Sequence, residues 1–139
     1  ICPIAGLEYK QWKLENFKNI LIWLNKNYSN YKIILFGINK DKKIIKSITK
    51  YNKNTIEVYD YNLRQMGLIF NKSKLVLTQD GGPMHIAWVT KSPLIALFPA
   101  DTDKFMPIRN YKTFVSKSRL NMDSINIREV KEAISKILK

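Results

Sequence analysis

Short apolar runs alternate with stretches of helical spacing from one end of the chain to the other. Tyr31–Gly37 (YKIILFG), Thr55–Tyr59 (TIEVY), Lys74–Thr78 (KLVLT) and Pro93–Phe98 (PLIALF) read as strands, and Ile1–Ala5 reads as one more at the start. The runs at 31–37, 74–78 and 93–98 are apolar nearly throughout, the pattern of strands buried on both faces. Between the strands lie helical patterns. Leu14–Tyr28 has apolar residues at 14, 17, 20, 21, 24 and 28, which share one helical face. Lys40–Lys50 suits a helix with Ile44, Ile45 and Ile48 turned inward, and Leu63–Phe70 suits another. Pro83–Val89 starts a helix with proline in the first turn, where its missing N–H costs nothing. Residues 101–124 read mostly as loop, with a short strand at Thr113–Ser116. A last helix covers Asn126–Leu138, and Asn126 with Glu129 has the spacing of a capping box. This alternation predicts an α/β domain: a Rossmann-like parallel sheet with helices on both faces. Such sheets bind ligands at the carboxyl ends of their strands, so the residues just after each strand carry the functional question.

At 139 residues the chain is long enough for one domain, 1–139, with its own core. No apolar run approaches the length of a membrane span. A single cysteine, Cys2, excludes an intrachain disulfide and a cysteine-rich zinc site. No internal repeat, signal peptide, triphosphate-binding Gly-Lys-Ser/Thr loop or Gly-x-Ser-x-Gly elbow is present. The opening Ile-Cys-Pro-Ile-Ala reads as a strand already under way, so the expectation is a piece of a longer protein. Lys plus Arg is 24 and Asp plus Glu is 11, a net charge of +13. That excess fits solvated lysine-rich helix faces, an anionic membrane or a phosphorylated glycolipid, and nucleic acid is the third reading. The charge is uneven: residues 55–100, which hold the sharpest motif, are almost neutral.

That motif is Asp80-Gly81-Gly82-Pro83-Met84-His85, between the strand ending near Thr78 and the helix opened by Pro83. Two glycines let the backbone approach a ligand closely, and the free N–H groups at a helix start attract an anion. This is the chemistry of a phosphate or pyrophosphate cradle. Asp80 does not suit gripping phosphate; it suits loop amides, a sugar hydroxyl or a cationic partner. His85, in the first turns of the helix, suits a hydrogen bond to phosphate or hydroxyl. A plain strand-to-helix turn with a structural histidine accounts for the same residues. Lys10 follows the first strand at the same sheet edge; it either reaches an anion there or is one solvated lysine among many. Trp12 reads as a core cap. Asn39 and Asp41 follow the second strand, where ribose hydroxyls are often bound, and an N-cap role fits either equally. Asp101 and Asp103 follow Phe98 and suggest a metal or general base less readily than a capped turn.

The stretch Lys74–Pro107 resembles the C-terminal domain of the bacterial heptosyltransferases, glycosyltransferase family 9. The shared pattern is a strand, Asp-Ser/Thr-Gly, a histidine spaced as His85 is from Asp80, a helix, and a strand ending in Phe. A Lys-x-Trp after the first strand (Lys10, Trp12), a strand ending in Gly37, and Met122-x-x-Ile125 before a closing helix extend the likeness over the whole chain. Departures are Gly81 for Ser or Thr, Phe98-Pro99-Ala100 for Phe-Gly-Pro, and Trp88 for a small residue, which would tighten packing behind the cradle. The resemblance implies the C-terminal, donor-binding half of a GT-B glycosyltransferase of lipopolysaccharide or cell-surface glycan assembly. It implies a nucleotide sugar such as ADP-heptose, inverting transfer and no metal. Lys10 would meet donor phosphate, Gly81 and Gly82 the pyrophosphate, and Asp80 and His85 the sugar and phosphates. Asn39 would lie near the nucleoside. The general base and the glycolipid acceptor site would belong to an N-terminal domain outside these residues. The expected setting is cytoplasmic, with peripheral contact at the inner face of the bacterial inner membrane and no nucleic-acid partner. The alternative is a non-catalytic nucleotide- or glycan-binding module that keeps the fold.

Overall fold

The computed structural model describes residues 1–50, 52–100 and 111–139. Five strands and five helices follow in the order α1 (Leu14–Asn27), β1 (Ile33–Gly37), α2 (Lys42–Thr49), β2 (Thr55–Tyr59), α3 (Leu63–Lys72), β3 (Val76–Gln79), α4 (Gly82–Val89), β4 (Leu94–Phe98), β5 (Tyr111–Val115) and α5 (Ile127–Leu138). β1 pairs parallel to β2 from Ile33↔Thr55, and β3, β4 and β5 form a parallel set with Val76↔Leu94 and Leu94↔Tyr111 in register.

The chain start joins the two sets. Ile1 N–H donates to Ile34 O at 2.7 Å, and Phe36 N–H donates to Ile1 O at 3.0 Å. On the other side Cys2 N–H donates to Leu77 O at 2.9 Å, and Cys2 bridges Thr78. The order across the molecule is therefore β2, β1, residues 1–2, β3, β4, β5. The strand expected over Ile1–Ala5 is shorter than that: Pro3 has no N–H, and beyond it the chain leaves the ladder.

Strand alternation sorts the apolar side chains onto two faces. Leu35, Leu77, Ile95 and Leu97 meet Phe17, Ile20 and Leu21 of α1, Ile45 and Ile48 of α2, and Val130 and Ile134 of α5. Phe36, Val76, Ala96 and Phe98 meet Phe70 of α3 and Met84 and Ala87 of α4. Each large apolar side chain so buried contributes about 1.5–3 kcal/mol, which makes these two layers the main source of stability.

Several local expectations need correction. Ile44 is 41% exposed, because only Ile45 and Ile48 fall on the inward arc of so short a helix. Asn126 caps α5 through Arg128 N–H at 2.8 Å. The reciprocal capping box is instead at α3, where Asn62 accepts from Gln65 N–H at 2.9 Å and Gln65 accepts from Asn62 N–H at 3.0 Å. The strand expected at Thr113–Ser116 runs over Tyr111–Val115. Trp88 does not pack behind the glycine turn; it is 39% exposed on α4.

Candidate functional site

The sheet order places the chain start between β1 and β3. From there the chain runs to α1 on one face, and from β3 it runs to α4 on the other. Two neighbouring strands whose connections leave in opposite directions open a crevice at their carboxyl ends. At that edge residues 4–13 face the end of β3 and the turn Asp80-Gly81-Gly82.

Residues 4–13 are held by two glutamines. Gln11 Oε1 accepts from Ala5 N–H at 2.8 Å, and its Nε2 donates to Pro3 O at 2.9 Å and Trp12 O at 2.6 Å. Gln79, buried at the end of β3, donates to Pro3 O at 3.0 Å and accepts from Trp12 N–H. Trp12 is fully buried, stands edge-on to Phe17 with centroids 5.2 Å apart, and donates from Nε1 to Ile125 O at 3.3 Å. It is the core cap that its sequence position suggested. Neither glutamine stands out in the sequence; the one available signal is a polar Gln79 closing an otherwise apolar strand.

This scaffold presents Lys10 at the end of a single 3₁₀ turn, Glu8–Lys10. Its Nζ lies 2.7 Å from Asp80 Oδ2. The Asp80 side chain is only 4% exposed and that of Lys10 21%. Burying a carboxylate is costly unless a counter-charge accompanies it, and Lys10 is that counter-charge. Asp80 N–H is taken by Leu97 O at 2.9 Å. Of the partners open to Asp80, the fold supplies the cation.

Next to the pair the backbone turns into α4. Gly81 has φ 158° and ψ −174°, a region essentially restricted to glycine. A Cβ on Gly82 would meet nothing within 4 Å, and one on Gly81 would meet only Pro83 Cδ at 3.9 Å. Among the described residues, no side chain packs the corner. Gly82 is the first residue of α4, so its N–H precedes any intrahelical acceptor and points outward with the positive end of the helix dipole. The Lys10–Asp80 pair and the Gly82 amide together line one corner around the backbone turn.

The remaining candidates lie elsewhere. His85 is exposed and lines a groove between α3 and α4 with Leu63, Arg64, Asn71 and Val89. Asn39 stands at the ends of β1 and β2, where its N–H donates to Asp60 Oδ1 at 3.0 Å and its side-chain amide donates to Asp60 Oδ2. Asp60 has φ 56°, and the sequence reading missed it. Tyr61 follows, exposed, with its ring edge-on to Phe36 at 6.2 Å. Asp41 is buried and accepts from Ile38 N–H at 3.4 Å, closing a local turn. Asp101 and Asp103 lie outside the described residues. Among the described residues no three His, Cys, Asp or Glu side chains gather as a metal site would require, and no helix is long and apolar enough to cross a membrane.

Comparison with known proteins bears on this arrangement. A curated relative, the lipopolysaccharide core heptosyltransferase OpsX of Haemophilus influenzae, is 26% identical over 100 residues, covering 70% of this chain and 29% of that protein. The fold matches a family 9 glycosyl transferase from Veillonella parvula at TM-score 0.82 and 18% identity, over 99% of this chain and 44% of that one. It matches Escherichia coli heptosyltransferase WaaC with ADP-2-deoxy-2-fluoro heptose at TM-score 0.81 and 18% identity, covering 97% and 41%. Escherichia coli ADP-heptose heptosyltransferase II gives TM-score 0.80 and 24% identity, covering 99% and 45%. The chain thus spans less than half the length of each of these proteins. The family model described as glycosyltransferase family 9 (heptosyltransferase) matches residues 1–134. With that match over nearly its whole length, the chain belongs to glycosyltransferase family 9, the heptosyltransferase family.

Proposed function

We propose that this chain is the donor half of a GT-B glycosyltransferase, and that the corner formed by Lys10 and the Gly81–Gly82 turn binds the diphosphate of a nucleotide sugar of the ADP-heptose type. The observation that carries the reading is the Lys10–Asp80 pair beside the open Gly81–Gly82 turn, at the reversal point of a parallel sheet. In this reading Lys10 and the Gly81 and Gly82 amides hold the diphosphate and stabilise it as it leaves. Asp80 keeps the ammonium in place. The reaction is an inverting displacement: an acceptor hydroxyl attacks the anomeric carbon as the bond to the diphosphate oxygen breaks. The base that takes the hydroxyl proton, and the glycolipid that carries it, belong to a further domain. Asn39, Asp60 and the exposed Tyr61 supply a carboxylate, an amide and an aromatic face for the nucleoside.

The test is titration calorimetry with ADP on the wild-type domain and on Gly82→Asp. The aspartate has room, so the fold survives, and its charge occupies the corner. Wild-type binding that Gly82→Asp weakens by about tenfold or more is expected, the size of a lost charge-assisted contact. Equal affinities for the two proteins sink the assignment. A second reading, a module that keeps the nucleotide site without transfer activity, draws on Gly81: its backbone at φ 158° excludes the hydroxyl residue that the family pattern carries there. Transfer assayed with the full-length protein separates the two readings.

A further inference from the structure

We infer that the outward face of α2 and its flanking turns form a docking surface for an anionic phospholipid bilayer. Residues 40–53 contain six lysines, Lys40, Lys42, Lys43, Lys46, Lys50 and Lys53, all exposed, and a single acidic residue, Asp41. Asp41 is buried against the Ile38 amide. Glu57 lies beside this face, and both its oxygens accept hydrogen bonds, one from the Thr49 hydroxyl and one from the Tyr59 hydroxyl. Two carboxylates border the face, Glu57 beside Lys42 and Lys46 and Asp60 on the Asn39 amides, against six lysines, so its charge remains net positive.

The other amphipathic helices are built differently. α1 pairs Lys18 with Glu15 at 3.2 Å, and α5 pairs Arg128 with Glu132 at 3.2 Å. Those spacings support a helix, whereas lysines three and four apart, as at 42, 43 and 46, weaken it by similar amounts. α2 thus carries a repulsion among Lys42, Lys43 and Lys46, and an anionic surface would relieve it. A bilayer suits the face better than a phosphodiester chain does. Ile38 and Ile44, 45% and 41% exposed, lie among the lysines and can enter the lipid interface beneath them. None of the lysines from 43 onward belongs to the donor corner, so changes at Lys43, Lys46 and Lys53 test this surface apart from nucleotide binding.

The experiment is sedimentation of the domain with vesicles of phosphatidylcholine alone and of equimolar phosphatidylcholine and phosphatidylglycerol. Binding only to the mixed vesicles, released by high salt, is expected. Lys43→Gln/Lys46→Gln/Lys53→Gln is expected to weaken that binding about a hundredfold, from about fivefold per lysine near the membrane. Lys72→Gln/Lys74→Gln/Lys91→Gln removes the same charge from another part of the surface and is expected to keep wild-type binding. Thermal melts and ADP titration of both variants check that fold and donor site are intact. Equal loss in the two variants overturns the proposal, because net charge alone then explains binding. Preference for polyuridylate over the mixed vesicles, abolished by the α2 changes, also overturns it and assigns the face to nucleic acid.

Discussion

Lys10 Nζ and Asp80 Oδ2 lie 2.7 Å apart across the crevice between the chain start and β3, with the carboxylate almost wholly buried. The two residues come from loops on either side of the sheet's reversal point, so the ion pair forms only once the strands are in order. It ties the Lys10 ammonium to the backbone turn that opens α4.

Lys10→Met removes the ammonium and leaves Asp80 without its counter-charge. Urea denaturation is expected to show a loss of about 1–3 kcal/mol, the cost of an unsatisfied buried polar group. ADP affinity is expected to fall about tenfold or more. Adding Asp80→Asn restores stability, since no charge is then buried, but not affinity. A double variant that recovers both would show that Lys10 serves the fold alone.

Gly81 is strained for any other residue by its backbone and not by its neighbours. Gly81→Ser is therefore expected to cost roughly 1–3 kcal/mol in chemical denaturation. Gly82→Ala, at a helical position with open space around the new methyl, is expected to leave stability nearly unchanged. Equal melting temperatures for the wild type and Gly81→Ser would contradict the backbone described for this turn.

Gly37 ends β1 against Ile45, whose Cδ1 occupies the place of a glycine Cβ. Gly37→Ala is expected to destabilise by about 1–3 kcal/mol, because Ile45 is fully buried and must shift within a packed layer. Ile45→Val deletes the Cδ1 methyl and is expected to recover most of that loss in the double variant, read from denaturant midpoints. A simple sum of the two single effects counts against the contact.

Glu57, Thr49 and Tyr59 couple stability to pH at both extremes. Burial pushes the Glu57 carboxyl up, but hydrogen bonds from Thr49 and Tyr59 and the charges of Lys46 and Lys42 outweigh it, so its pKa is lowered overall. A lowered carboxylate adds stability above its unfolded value, about 4.3, and loses it as pH falls further. Burial first, then the hydrogen bond to Glu57, pushes the Tyr59 hydroxyl up to about 12. A raised hydroxyl adds stability that is complete below its unfolded value, about 10, and lost as pH climbs toward the folded one. Melting temperatures of Glu57→Gln are expected to converge on the wild type at strongly acidic pH. Tyr59→Phe is expected to flatten the loss that the wild type shows between about pH 10 and 12. Parallel curves for the variants and the wild type across these ranges would refute the coupling.

Much of the fold is local in origin. The runs YKIILFG, KLVLT and PLIALF carry their burial in composition, the spacing of Phe17, Ile20, Leu21 and Leu24 carries the face of α1, and Asp80-Gly81-Gly82-Pro83 carries its own turn. Periodicity and turn chemistry act within a few residues, so a linear reading recovers them and with them the parallel sheet. The partners at its carboxyl edge are a different matter. That Asp80 takes Lys10, that Gln11 and Gln79 fasten the opposing loop, that Asn39 is gripped by Asp60, and that His85 and Trp88 turn outward on α4 depend on which strands become neighbours. The Lys10–Asp80, Gln79–Pro3 and Asn39–Asp60 contacts join residues far apart in the chain, and no local preference encodes them. They follow from the burial of two apolar layers that sets the strand order, and only the folded chain reveals which polar groups that order leaves facing one another.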